Sequence, residues 1–184
     1  MNQTKQDLFS IAINICTSFL HLNNISIPRY MNRNISSHGF FNPPNIIIVN
    51  LKNARTPTKT PGFCWSYPGY KADLTPIGIT AHEIGHYLQY IFNITNRQIT
   101  SLTIDEPSVS SYEPNAGEIL SESTKLFINN PNLLKLGRPK RYSLLCDALH
   151  LRPLHDKPWQ TILSNAHPKF IIAATKWIKH GQSS

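Results

Sequence analysis

The sequence predicts a single α+β domain, helix-rich with a small β-sheet, and three observations predict it. Apolar residues recur at helical spacing in three long segments, and one β-branched run stands between the first and second of these. No repeat, low-complexity tract or composition break divides the 184 residues. A chain of that length can bury a core without disulfide or metal staples. Residues 1–184 therefore read as one domain, with a motif-bearing core at 75–142 and a basic, helical C-terminal part at 143–184.

The first segment, "TKQDLFSIAINICTSFLHL" at 4–22, sets Leu8, Ile11, Ile15 and Phe19 on one face of an amphipathic helix. "NIIIVNL" at 45–51 follows two prolines and is β-branched and apolar, which predicts a core strand. "KNARTPTKTPGFCWSYPGYK", 52–71, is rich in Pro, Gly and aromatic residues, so it reads as loop or short edge strand and as a wall of any cleft beside the next helix. That helix has a clear start, Thr75 as cap and Pro76 at the first helical position, and is expected to run to Asn93. Residues 94–114 are polar and aperiodic, which predicts a surface crossing. A further helix is expected from Asn115 to just before Pro131, then short elements punctuated by Pro131, Gly137 and Pro139. The last element, "PKFIIAATKWIKHG" at 168–181, reads as a helix with Gly181 as its stop.

The net charge of +8 is unevenly placed. Residues 1–134 carry nine Lys/Arg against eight Asp/Glu, and residues 135–184 carry nine against two. Such a bias suits an acidic partner docked on the C-terminal region, nucleic acid among the options, or simply a solvated basic face. Arg138, Lys140 and Arg141 beside Tyr142 are the candidates for gripping a phosphate or a substrate carboxylate. No uninterrupted apolar stretch suggests a transmembrane segment, and the N-terminus lacks a basic region followed by an apolar core. Together with three widely spaced cysteines without CxxC spacing, this sets the expectation of a cytoplasmic protein in a reducing compartment.

The chemistry is concentrated in "ITAHEIGHYLQYI", residues 79–91. On a helix, His82 and His86 stack one turn apart, with Cβ atoms about 6 Å from each other, so both imidazoles can address one ion. Glu83 lies one step round, where a general base can take a proton from water that zinc acidifies. From the His and Glu content, HExxH arises by chance in roughly one such chain in a hundred, so the spacing carries weight without deciding the matter. Gly85, between the histidines, costs about 1 kcal/mol of helix stability relative to Ala. A residue that weakens the helix there predicts close approach by another segment.

A catalytic zinc site takes three protein ligands and leaves one position open. "EPNAGEILSES" offers Glu113, Glu118 and Glu122. Glu118 and Glu122 are again one helical turn apart, so one can ligate while the other accepts the N–H of a ligand histidine. A competing reading makes Asn115 and Glu118 a capping box.

HEIGH followed by a helical E-x-x-x-E resembles the glutamate-zincin metallopeptidases. Within these, "NAGEILSESTKLF" is similar to the glutamate helix of the anthrax lethal factor catalytic-domain group, and "NPNLLKLGRPKRY" to short metallopeptidase-like proteins of phages. The resemblance covers 75–142. It implies a zincin-like fold, Zn2+ as cofactor, a protein or peptide substrate, His82, His86 and Glu118 as ligands, Glu83 as base and Glu122 as the acceptor behind a ligand histidine. It also implies a tyrosine that stabilises the oxyanion, for which Tyr112 is the nearest match; an ordinary loop aromatic is the other reading. A phage origin would allow the virion or a host cytoplasm as the setting. Ser121 departs from the alanine frequent in that group, and no edge strand for an extended substrate is identifiable. HEIGH with "EPNA" is also similar to metallopeptidases of phage and mobile-element regulation, which would make Glu113 the third ligand. The functional expectation is a zinc-dependent metallopeptidase. The alternative is a catalytically silent zincin-like binding or virion component with a basic docking surface.

Overall fold

The computed structural model describes residues 4–56, 73–163 and 168–182. It is an α+β fold of eight helices among these residues and a three-stranded mixed sheet, which packs against the α-helix that follows it. The first helix, α1 (Lys5–Leu22), begins at a capping box in which Thr4 and Asp7 satisfy each other's backbone N–H groups. Its apolar stripe buries Leu8, Phe9, Ala12, Cys16, Phe19 and Leu20.

Three four-residue strands follow: β1 (Arg29–Asn32), β2 (Gly39–Asn42) and β3 (Ile46–Val49). The apolar β3 takes the centre, parallel to β1 and antiparallel to β2, with Phe41 opposite Ile47 and Tyr30 opposite the same residue. That register puts Tyr30, Phe41, Ile47 and Val49 on the face toward the helices. β2 is consequently an edge strand among the described residues.

α2 (Pro76–Ile91) starts as its sequence dictates, with Thr75 accepting from the Gly78 N–H and Pro76 at the first position. It packs on α1, on β2 and most extensively on α4 (Ala116–Asn129). The crossing of α2 and α4 explains Gly85: a Cβ there would collide with the Cα of Ser121. Alanine or serine at 121 and glycine at 85 let the two backbones meet, and the functional side chains on both helices are thereby brought together. Ile84, Leu88, Leu120, Leu126 and Phe127 fill the core between them, with Phe19 of α1 edge-on to Phe127 at 6.0 Å.

Two expectations are corrected. Residues 94–114 are not all surface crossing, because Thr95 and Gln98 form a capping box that starts α3 (Asn96–Leu102), buried through Ile99 alone. One apolar contact in seven residues leaves almost no periodic signal. Gly181 does not stop the last helix, which continues to Gln182. Between α4 and that helix lie α5 (Pro131–Gly137), α6 (Pro139–Ser143), a π-helical turn at Leu144–Ala148 and α7 (Trp159–Leu163), leading to α8 (Pro168–Gln182). Gly137 is where α5 meets α8, for a Cβ there would enter the Trp177 ring. Most of the expected cleft wall, residues 57–72, lies outside the described residues. Among the described residues no helix is long and apolar enough to cross a membrane.

Candidate metal centre

His82 and His86 project from one face of α2 and Glu118 from the first turn of α4, whose start is fixed by Asn115 accepting from the Glu118 N–H at 3.1 Å. Only this half of the competing capping-box reading forms. The Glu118 carboxylate turns instead to the histidines, with Oε2 2.9 Å from His82 Nε2 and Oε1 3.6 Å from His86 Nε2. Among the described residues these three form the one group of His, Cys, Asp or Glu whose ligand atoms converge, all within 4.8 Å of one another.

Behind His82 stands Glu122, one turn along α4, its Oε1 2.7 Å from His82 Nδ1. With Nδ1 facing that carboxylate, Nε2 is the nitrogen turned to Glu118. Glu122 is itself held by the ammonium of Lys125, 2.7 and 2.6 Å from its two oxygens, and by the Ser110 hydroxyl. Lys125 is 1% exposed, a buried lysine made tolerable by that pairing.

Glu83 is buried against the edge strand. A Cβ on Gly39 would come within 2.6 Å of Glu83 Oε1, so glycine at that strand position makes room for the carboxylate. The Phe41 backbone hydrogen-bonds it. Burial pushes the Glu83 carboxyl upward, opposed by His82 and His86. Tyr112 is 50% exposed, with its ring 5.8 Å from that of His82. Burial and the neighbouring Glu118 carboxylate raise its hydroxyl above the ordinary range, which keeps it a phenol and a donor.

Glu113 sits elsewhere. Its Oε1 accepts from the Val109 and Ser110 N–H groups at 2.7 and 3.2 Å, and its Oε2 meets Arg141 Nη1 at 2.8 Å. Both oxygens are engaged, which leaves the Glu118 register as the one the geometry assembles. The basic cluster at 138–141 is corrected in part, because Arg138 and Arg141 are buried whereas Lys140 is exposed. Arg138 lies over the Trp177 ring at 4.1 Å and donates to the Pro107 and Ser108 carbonyls, Arg141 serves Glu113, and Lys140 donates to the Ile104 carbonyl. All three tie loop 103–113 to the C-terminal helices, and the two buried guanidinium groups are committed to that role.

No family profile, no curated protein and no solved structure matches this chain. The donor chemistry therefore has to decide what the centre can hold. Two imidazole nitrogens and one carboxylate oxygen, with a carboxylate behind the first imidazole, are a set that suits zinc. In a tetrahedral zinc site with bonds of about 2.0–2.2 Å, ligand atoms stand about 3.3–3.6 Å apart, so the observed separations need only small side-chain adjustments. Glu118 Oε2 is buried and, close as His82 Nε2 is, lacks an aligned hydrogen-bond donor. Such an orphaned oxygen is what a cation would satisfy.

Electrostatics points the same way. Burial disfavours charge on His82, yet the carboxylates of Glu118 and Glu122 outweigh it and lift its pKa to about 9. Burial also opposes ionisation of Glu118 and Glu122, and the neighbouring histidines and Lys125 bring both down to about 2. His82 thus lies between two carboxylates that both favour positive charge at its ring.

The histidine spacing and the two glutamates were legible from helical periodicity. The same periodicity does not point to Lys125 or Ser110. Lysine at 125 falls on the buried stripe of "STKLFI", which is the one available hint, whereas nothing local ties Ser110 to a residue twelve positions later.

Proposed function

We propose that this protein is a zinc-dependent metallopeptidase, with His82, His86 and Glu118 holding the metal. The observation that carries this reading is the convergence of those three ligand atoms within 4.8 Å, with Glu83 beside them and Glu122 behind His82. When bound, zinc supplies Lewis acidity that acidifies water to near neutral pH and polarises a carbonyl oxygen.

The rest of the reaction falls to the chain's own side chains. Glu83, wedged between α2 and the β2 backbone, takes the proton from the attacking water and delivers it to the departing amine nitrogen. Tyr112 donates its O–H to the oxygen that gains charge as the carbonyl carbon becomes tetrahedral. Glu122 fixes the tautomer and the ring orientation of His82. Among the described residues β2 has an open edge next to Glu83, along which an extended peptide can lie. Protein or peptide is therefore the substrate class.

Glu83→Gln tests the reading. The variant should keep zinc and lose hydrolysis of an unstructured protein substrate by about 10²–10⁴-fold, the usual contribution of a general base. Full activity in Glu83→Gln would refute the mechanism. Arg138 and Arg141, two of the nine cations of 135–184, are engaged within the fold, and the remaining basic residues of that region leave a docking role as the second reading.

A further inference from the structure

We infer that Ser110 is a positioning residue that couples the occupied metal centre to the placement of Tyr112, an inference that rests on the zinc reading above. The link is a continuous chain of hydrogen bonds. His82 Nδ1 meets Glu122 Oε1 at 2.7 Å, the Ser110 hydroxyl donates to Glu122 Oε2, and Ser110 Oγ accepts the Tyr112 backbone N–H at 3.1 Å. Every member but Tyr112 is buried: His82 is 9%, Glu122 0% and Ser110 3% exposed.

Each joint is rigid for a stated reason. Glu122 accepts bonds at both oxygens from the Lys125 ammonium as well as from His82 and Ser110, which leaves its carboxylate no freedom to rotate. Ser110 has a single hydroxyl proton, and it is committed to Glu122. The turn that carries Ser110 and Tyr112 is closed internally by Glu113, which accepts from the Val109 and Ser110 N–H groups and is held by Arg141. The turn is thus latched to the C-terminal helices on one side and docked on the metal centre on the other by the Ser110 hydroxyl, with Val109 buried in the core and the Tyr112 ring beside that of His82.

A ligand that fixes the His82 ring consequently stiffens the turn, and the Tyr112 ring, 5.8 Å from the His82 ring, is held where a substrate carbonyl would need it. Nothing in the local sequence "SVSSYEP" announces this role, because its partner lies on α4.

The test is amide hydrogen exchange of segment 109–113 in the full-length protein, with and without stoichiometric zinc, in wild type and Ser110→Ala, with metal content measured on the same samples. In wild type, zinc should slow exchange of the Tyr112 amide at least about tenfold. Ser110→Ala should still take up one zinc per chain but lose that zinc-linked slowing, while the Val109 and Ser110 amides, bonded to Glu113, keep their protection. Equal slowing in both proteins overturns the coupling and leaves the zinc site standing. A wild type that takes up no zinc overturns the site and the coupling together, and metal content separates these two failures.

Discussion

Around Arg138 and Arg141 the buried carboxylates meet protein cations and backbone N–H groups, whereas around His82 two imidazole nitrogens and a carboxylate oxygen face one another. In the first cluster Glu113 is matched to Arg141 and to two backbone N–H groups, and Glu106 accepts from the Lys140 and Arg141 N–H groups at the start of α6. Its charges cancel within the protein. In the second, Glu118 keeps a buried oxygen without an aligned donor, and the carboxylates of Glu118 and Glu122 face His82 from two sides. Buried charge alone therefore does not mark a functional site. The first cluster pairs its carboxylates with protein donors, although Arg141 Nε stays unbonded 3.7 Å from Glu106, and the second turns its carboxylates toward two histidines.

This difference is open to test by single substitutions in each cluster. For zinc affinity, the largest effect short of removing a ligand is expected from Glu122→Gln, which should weaken binding by about 10–100-fold, the usual consequence of losing the acceptor behind a ligand histidine. Competition with a chelator measures it, and an unchanged affinity would place Glu122 outside the centre.

A smaller effect follows from pH. Because the His82 pKa is lifted to about 9, the metal-free protein holds that proton at neutral pH, and zinc must displace it. Apparent affinity should therefore rise with pH, by about tenfold per unit from this proton, and flatten as pH passes about 9. Isothermal titration in buffers of different ionisation enthalpy counts the protons released.

The smallest effect on zinc belongs to the other cluster. Glu113→Ala should leave zinc uptake unchanged while removing the partner of a buried arginine. That loss costs about 3 kcal/mol and lowers Tm by on the order of 10 °C for a chain of this size. Loss of zinc in that variant would mean that the two clusters are not independent.

What the sequence disclosed divides along the same physical line. Helices α1, α2 and α4 were legible because each combines an apolar stripe with a cap, and β3 because four β-branched residues follow two prolines. β1 and β2 were not, since "RYMN" and "GFFN" are too short to show alternation and owe their pairing to β3. The edge strand beside Glu83 was invisible for that reason. The relation of His82 to His86, and of Glu118 to Glu122, is set by helical period and could be read locally. The relation of Ser110 and Lys125 to Glu122 depends on tertiary contact or on a buried charge that periodicity treats as an error. The inward turn of Arg138 and Arg141 was equally hidden, because composition records charge and not where it points.

The most direct measurement is elemental analysis of purified wild type beside His86→Ala, Glu118→Ala and Glu113→Ala. About one zinc per chain in wild type and in Glu113→Ala, and none in His86→Ala or Glu118→Ala, is the predicted result. A wild type that carries no zinc and takes up none, or zinc that survives loss of Glu118 and disappears with Glu113, would contradict the centre described here.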